Sequence, residues 1–197
     1  MSGANVNLSI EELEAVTDPA WILTKNRVME KTVALFEGLA PQYEKILANQ
    51  PGLPALVTAV PAKISKGENY QGLPHVMLDF PRIFTRTDVL AIRSFFWWGH
   101  YFSITLQLSG MYRQWLHVDS LKDLNGWYLA TGKDPWDHDL DGEHYRALTP
   151  METNLDERDF IKLAKKIPLD QWDHAGIFFL ENFETIVGRL ITAQAVK

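Results

Sequence analysis

Two neighbouring segments place ionisable side chains on alternate residues among aromatic ones. Residues 73–80 (LPHVMLDF) carry His75 and Asp79, and residues 89–98 (VLAIRSFFWW) carry Arg93. A carboxyl group beside an imidazole could act as an acid or a base if the two lie within hydrogen-bond reach. Asp79 and Arg93 could instead form a cross-strand ion pair that lets a buried carboxylate stay charged, and we favour this structural interpretation.

A third segment indicates how these side chains are positioned. In residues 100–109 (HYFSITLQLS) apolar residues alternate with mostly polar ones, as in a half-buried β-strand. The two earlier segments follow the same alternation, and Pro81, which cannot donate to a strand ladder, is predicted to end the first. Three strands would therefore share an apolar face of even-numbered residues. The opposite face would display His75, Met77, Asp79, Arg93, Phe95, Trp97, Tyr101, Ser103 and Thr105.

The turn between the second and third strands decides their register. A two-residue loop would place Arg93 in the core opposite Leu106, where an unpaired charge costs several kcal/mol. A three-residue loop sets Leu90 opposite Leu108 and Ile92 opposite Leu106, so that both faces stay consistent. The sequence therefore predicts a three-residue loop.

The odd-numbered face is too aromatic for plain exposure to solvent and too polar for a core. Small-molecule pockets combine an apolar lining with a few polar groups. Trp97 and Tyr101 could stack a planar ligand, and Arg93 could bind its carboxylate through two hydrogen bonds. The sequence thus predicts non-catalytic binding of a small planar or anionic molecule, with no cofactor. The predicted ligand-binding residues are Arg93, Trp97, Tyr101, Phe95, His75, Asp79 and Ser103.

Two other functions stay open at this stage. The aromatic face or a long C-terminal helix could be the contact surface of a homodimer, since exposed apolar patches mark interfaces. An enzyme would instead use Asp79 and His75 as acid and base. The chain has none of the glycine-rich nucleotide or phosphate loops, and no serine-hydrolase elbow, on which common enzyme classes depend.

Residues 137–142 (DHDLDG) match the opening of an EF-hand calcium loop, with carboxylates on alternate residues before a glycine. Asp137, Asp139 and Asp141 are therefore candidate metal ligands. The match fails at the twelfth position, where Leu148 stands in place of the glutamate that binds calcium through both oxygens. We favour a solvated acidic loop over a metal site.

Helical patterns flank the predicted sheet. Asp18 and Pro19 are a typical helix start, and the apolar stripe that follows is predicted to end at Gly38. Pro41 is predicted to begin a second helical segment that continues to Leu47. The sequence thus predicts a helical pair before the strands.

The remaining boundaries rest on turn residues and caps. Residues 56–64 are predicted as an edge strand, and residues 65–72 as the glycine-containing loop that follows it. Asn154 is predicted to cap a helix that Pro168 stops, and Asp170 to cap the last helix. The apolar stripe of this last helix is expected to pack on the sheet.

Helices at both ends with strands between them predict an α+β domain. Its antiparallel sheet would have about four to six strands in the middle of the chain, with the N-terminal and C-terminal helices packed on one face. Residues 126–131 and 145–148 would supply short strands of this sheet. One domain is predicted over residues 1–197, with residues 1–17 as a loosely packed N-terminal arm.

The composition indicates in which compartment the protein acts and which partners it does not bind. The 197 residues carry a net charge of -6 and no cysteine, so neither a disulfide nor a thiolate metal site is expected. Residues 1–14 lack the basic start and apolar core of a secretory signal, and no apolar run reaches the roughly 18 residues needed to span a bilayer. The acidic balance argues against general affinity for nucleic acid. We therefore predict a cytoplasmic protein that binds neither nucleic acid nor membranes.

Overall fold

A computed structural model describes residues 6–149, 155 and 158–190, and its centre is a seven-stranded antiparallel sheet. The strand order is β1-β2-β3-β4-β7-β5-β6. The predicted α+β class is confirmed, although the sheet is larger than the four to six strands expected. The strands are β1 (Lys63–Tyr70), β2 (Leu73–Phe84), β3 (Val89–Trp97), β4 (Tyr101–Ser109), β5 (Tyr128–Ala130), β6 (Tyr145–Ala147) and β7 (Phe160–Pro168).

The predicted register of the central hairpin is confirmed. Leu90 pairs with Leu108 and Ile92 with Leu106 across β3 and β4. Residues 98–100 form the three-residue loop, in which Gly99 has a φ of 76° that glycine adopts without strain. Burial of the apolar even-numbered side chains and exclusion of a charge from the core therefore set this register.

Helices from both ends of the chain cover one face of the sheet, here named the inner face. The chain forms the helices α1 (Ile10–Thr17), α2 (Pro19–Ala48), α3 (Leu56–Ala59) and α4 (Ala175–Arg189). Of these, α2, α3 and α4 contact the sheet. Tyr43 of α2 stacks on Phe183 of α4, with ring centroids 3.7 Å apart. Its hydroxyl lies 2.9 Å from the Ser94 hydroxyl of β3, so this buried polar group on the inner face is satisfied. The packing of the last helix on the sheet is confirmed.

The prediction that the first long helix ends at Gly38 is wrong. Helix α2 runs unbroken through Gly38 and Pro41. Its apolar stripe continues at three- and four-residue spacings, and Phe36, Leu39 and Tyr43 are all buried. Burial of this stripe offsets the cost of the two helix breakers, about 1 kcal/mol for glycine and about 3 for proline.

The predicted boundaries around β1 are also wrong. Residues 56–59 are helical, and residues assigned to a loop form β1. Gly67 in this strand does not mark a turn, because it makes room for the imidazole of His75. A Cβ atom there would lie 2.2 Å from the His75 ring. The turn falls instead at Gln71 and Gly72, which both have positive φ as a two-residue hairpin requires.

The prediction that Pro81 ends β2 is wrong. The strand continues to Phe84, and Pro81 lies in a β-bulge within it. Phe80 and Pro81 together oppose the single residue Ile92, so the missing N–H of proline falls where the ladder is interrupted. The extra residue reverses the parity of the strand beyond it. Ile83 therefore joins the inner core and Phe84 faces the opposite side of the sheet.

The segment predicted as a helix before Pro168 is a strand. Residues 160–168 form β7, which lies between β4 and β5 in the sheet. Ile161 and Leu163 point into the main core while Lys162 and Ala164 are buried on the other side. A buried lysine hides the period-two alternation that would have indicated a strand. The predicted cap Asn154 lies outside the described residues.

The remaining elements are short. Strands β5 and β6 confirm the predicted strands at residues 126–131 and 145–148. The last helix begins at Ala175 and not beside Asp170, which lies in a 3-10 helix over Leu169–His174. Two further 3-10 helices span Gly110–Trp115 and Val118–Leu121. Among the described residues, no helix has the length and apolar character needed to cross a bilayer.

Candidate functional site

The face of the sheet opposite the inner face, here named the outer face, is covered by the chain itself. Residues 131–144, between β5 and β6, form a covering loop over it. Phe95, Trp97 and Tyr101, which were predicted to stack a ligand, are at most 3 % exposed, and Ser103 is fully buried. Of the predicted ligand-binding residues, only Arg93 and His75 are partly accessible.

Tyrosine hydroxyls hold the covering loop in place. Tyr101 donates to the carbonyl of His138 (2.9 Å) and accepts from the amide of Leu140 (2.7 Å). Tyr70 accepts from the amide of His138 (2.7 Å), and Tyr145 donates to the carbonyl of Asp137 (2.6 Å). Burial raises the pKa of Tyr70 to about 12 and that of Tyr101 further. The aromatic face therefore binds backbone of the loop at this end.

Arg93 and Asp79 form the ion pair that strand parity suggests. The two residues lie opposite each other, with Arg93 Nε 2.6 Å from Asp79 Oδ1 and Nη2 3.0 Å from Oδ2. The remaining guanidinium nitrogen, Nη1, lies 2.9 Å from His138 Nε2. Each guanidinium nitrogen is therefore engaged, and Asp79 already occupies the Nε–Nη2 edge that could clamp a ligand carboxylate.

His138 and Lys162 form a buried pair whose protonation follows from their partners. Since a guanidinium can only donate, His138 Nε2 accepts from Arg93 and Nδ1 carries the ring proton. Nδ1 lies 3.3 Å from Lys162 Nζ, which can accept that proton only as a neutral amine. The two amine hydrogens point to the carbonyls of Pro135 (2.9 Å) and Asp137 (2.5 Å). Every group in this set is thus satisfied.

The pKa values of this pair agree with neutral side chains. Burial, aided by the charge of Arg93, lowers the pKa of Lys162 to about 7. Burial also lowers the pKa of His138 well below its usual value, and Lys162 and Arg93 act in the same direction. Removing an amine or imidazole from water disfavours its charged form. Lys162 and His138 are therefore bonded to each other as uncharged groups above neutral pH.

The acidic residues of the loop are used in local turns. Asp137 Oδ1 accepts from the amide of Asp139 (2.9 Å), and Asp139 Oδ1 accepts from the amides of Asp141 (3.1 Å) and Gly142 (3.2 Å). Such Asx turns explain the alternate spacing that resembles a calcium loop. Within the described ranges, no three His, Asp or Glu side chains converge as metal ligands would.

His75 and Asp79 are not brought together. They lie four residues apart along β2, which corresponds to about 13 Å between their Cα atoms. Asp79 is bound to Arg93, whereas His75 Nδ1 is buried without a hydrogen-bond partner. Burial lowers the pKa of His75. This arrangement does not form an acid–base pair.

A line of polar side chains runs along β4 on the outer face. Ser103, Thr105 and Gln107 are each at least nine-tenths buried. Among the described residues, the Ser103 hydroxyl is buried without a hydrogen-bond partner, whereas the polar atoms of Thr105 and Gln107, which form no hydrogen bond to another described residue, still reach solvent. The Thr105 and Gln107 side chains therefore have donors and acceptors open to a ligand.

Thr105 and Gln107 face a narrow slot between the sheet and the covering loop. The slot does not admit a water-sized sphere at its present width. Thr105 is flanked by Ala164 on β7 and Gln107 by Ala91 on β3, so small neighbours leave this space open. The remaining walls are Phe84, Arg93, Trp136 and His138.

Trp136 is the outer wall of the slot. Its side chain is 48 % exposed, and its ring packs 5.8 Å from the Phe84 ring. The Arg93 guanidinium lies 5.8 Å from the Trp136 ring centroid, within cation–π range. Phe84 reaches this position because the bulge at Pro81 reverses the parity of β2.

Sequence reasoning missed four of the residues that build this site. Gln107 continues the odd-numbered alternation of β4, so the pattern that identified Ser103 could have included it. Trp136 stands in an otherwise polar, acidic stretch, which is a signal that the loop is anchored. His138 and Lys162 gave no such signal, because their roles depend on contacts between distant segments.

We expect the unpaired hydroxyl of Ser103 to destabilise the protein. Ser103→Ala removes this buried hydroxyl and should raise the free energy of unfolding by about 1 kcal/mol. Ser94 is the matched control, because it is equally buried but its hydroxyl lies 2.9 Å from that of Tyr43. Ser94→Ala should lower the free energy of unfolding in the same urea titration. Destabilisation by Ser103→Ala would contradict an unpaired hydroxyl.

The fold and the site define the protein as an antiparallel α+β domain with a loop-covered polar slot on the outer face of its sheet. No protein-family model, curated protein or solved structure matches this chain. Its function is therefore argued from the slot and its surroundings.

Proposed function

We propose that this chain is a cytoplasmic, non-catalytic binding domain that holds a small flat molecule in the slot between β4 and Trp136. The observation that carries the proposal is the pair Thr105 and Gln107, whose side chains are mostly buried, line the slot and form no hydrogen bond to another described residue. A ligand could bond to both groups, because the protein itself uses neither their donors nor their acceptors. The cytoplasmic setting rests on the cysteine-free composition.

Charge balance around the slot favours an uncharged ligand over an anion. The guanidinium of Arg93 is neutralised by Asp79, and the Lys162 amine is neutral above about pH 7. The Gln107 amide and the Thr105 hydroxyl can each donate and accept. The best fit is a flat molecule with a donor and an acceptor side by side on one edge, such as a carboxamide or a cyclic lactam.

The ligand would enter by displacing Trp136. The slot is too narrow for a water-sized sphere, and Trp136 is its most exposed wall. The indole contacts Phe84 and Arg93 only through ring packing, which an outward rotation breaks without losing a hydrogen bond. On return, the ring would stack on the flat face of the ligand.

Ligand-observed NMR with three flat probes tests the proposal. We expect 2-pyridone and benzamide, which carry the paired donor and acceptor, to bind better than benzoate. Gln107→Met keeps the volume of the side chain and should weaken 2-pyridone binding at least tenfold, because one bidentate partner is lost. Gln114→Met, at an exposed glutamine, is the matched control and should bind like the wild type. Equal binding by Gln107→Met, or no binding of any probe, would refute the slot as the site.

A further inference from the structure

The first part of the described chain projects from the rest of the molecule. Every residue from 6 to 24 is exposed, and α1 contains no buried residue. This segment, here named the arm, includes α1 and the start of α2. It nevertheless carries eight large apolar side chains, each at least 43 % exposed: Val6, Leu8, Ile10, Leu13, Val16, Trp21, Ile22 and Leu23.

Such an arm needs a partner surface. Isolated helices shorter than about 12–15 residues are marginal in water, and α1 has eight residues. Ile10, Leu13 and Val16 recur every three residues, so they form one apolar stripe on this helix. Contiguous exposed apolar surface of this kind marks a site of protein association.

An apolar groove that no described residue fills offers a matching surface on the same chain. The groove has a volume of about 400 Å³ and lies where α2 meets the β3–β4 loop and the 3-10 helix before α4. Lys31 is its one charged lining residue, is exposed, and forms no ion pair with a described residue. The other lining residues are Val28, Phe96, Trp98, Gly99, Leu169 and Trp172.

The arm cannot fold back into the groove of its own chain. Asp18 is the only residue between α1 and α2, and antiparallel helices need a connection of about two to five residues. Asp18 is also held in extended conformation, because its carboxylate accepts from the amide of Ala20 (2.8 Å) and Pro19 follows it. Val28 and Lys31 lie well along α2, beyond the reach of α1 without unwinding both helix ends.

We propose that two copies of this chain form a dimer by exchanging arms, with α1 of each copy in the groove of the other. The charges match, because Glu12 and Glu14 flank the apolar stripe and Lys31 lies at the groove. Burying Ile10, Leu13 and Val16 removes roughly 60–120 Å² each, and the groove loses a similar area, so two arms bury roughly 700–1,400 Å² in all. This overlaps the size range of specific interfaces. Reciprocal exchange also closes the assembly at two copies.

Light scattering coupled to size-exclusion chromatography tests the exchange on the full chain. We expect a dimer mass for the wild type and a monomer mass for Leu13→Glu, which changes an exposed residue and so leaves the fold of each copy intact. Met111→Glu, at an exposed residue outside the arm and the groove, is the matched control and should remain dimeric. A monomeric wild type, or a dimeric Leu13→Glu, would overturn the proposal.

A charge reversal locates the contact. Lys31→Glu and Glu14→Lys should each increase the dimer dissociation constant about tenfold, and the double variant should recover most of the loss, as measured by sedimentation velocity. Recovery is expected because the two side chains would again be opposite in sign across the interface. If the double variant dissociates as readily as the single ones, the arm does not lie in this groove.

Discussion

Replacing Arg93 with methionine should destabilise the protein by about 3–5 kcal/mol, the largest effect that we expect from a single substitution on the outer face. The carboxylate of Asp79 is buried, and the structure gives it no hydrogen-bond donor other than Arg93 among the described residues. The substitution therefore leaves an unpaired buried charge and removes the donor to His138. Urea-induced unfolding at neutral pH measures the loss.

A double variant separates the cost of the stranded charge from the cost of lost packing. Arg93→Met combined with Asp79→Leu removes both charges, and hydrophobic replacement of a buried ion pair is often neutral or stabilising. We expect it to recover most of the stability that Arg93→Met loses. A double variant that remains as unstable as Arg93→Met would show that the guanidinium acts mainly through the covering loop.

Lys162 should make the protein more stable as the pH rises from 7 to 9. Its pKa is about 7 in the folded protein and 10.5 as a free side chain, so the unfolded chain binds more protons across this interval. By linkage, the free energy of unfolding should rise by about 2 kcal/mol over these two pH units. Lys162→Met should abolish this rise, as urea titrations at pH 7, 8 and 9 would show.

The pH interval separates Lys162 from His138 and the tyrosines. His138 also has a lowered pKa, but its contribution to stability is lost below its free value of 6.5. The tyrosines have raised pKa values, so their contribution is complete below pH 10 and is lost only above it. Lys165→Met is the control and should keep the rise, because Lys165 lies three residues further along β7 and on the opposite face of the sheet. If Lys162→Met also keeps the rise, the amine is not the titrating group.

The central strands were predictable because two physical constraints, both local to the hairpin, decided them. Period-two alternation fixed the faces of β3 and β4, and the cost of burying Arg93 opposite Leu106 fixed the register. These terms are local to a hairpin, so the sequence contains all the necessary information. The same reasoning failed at Pro81, because alternation alone does not reveal the bulge that places Phe84 on the outer face beside Trp136.

The candidate site was predictable only in part. Strand parity correctly placed Arg93, Ser103 and Thr105 on the outer face. Parity could not show that a loop about 35 residues further along the chain covers Tyr101, because hydrogen bonds to backbone carry no sequence signal. Lys162 fell within the helix predicted before Pro168, and the sequence could not show that its partners are the carbonyls of that loop.

The side-chain amide of Gln107 gives the most direct test of the proposed ligand site. Its NH₂ resonances in a ¹⁵N-correlated NMR spectrum can be assigned as the pair that is lost in Gln107→Met. On titration with 2-pyridone, these resonances should shift and saturate together with those of the Trp136 indole, because the ligand would lie between the two side chains. If 2-pyridone saturates the protein while the Gln107 resonances stay in place, the slot on the outer face is not where the molecule binds.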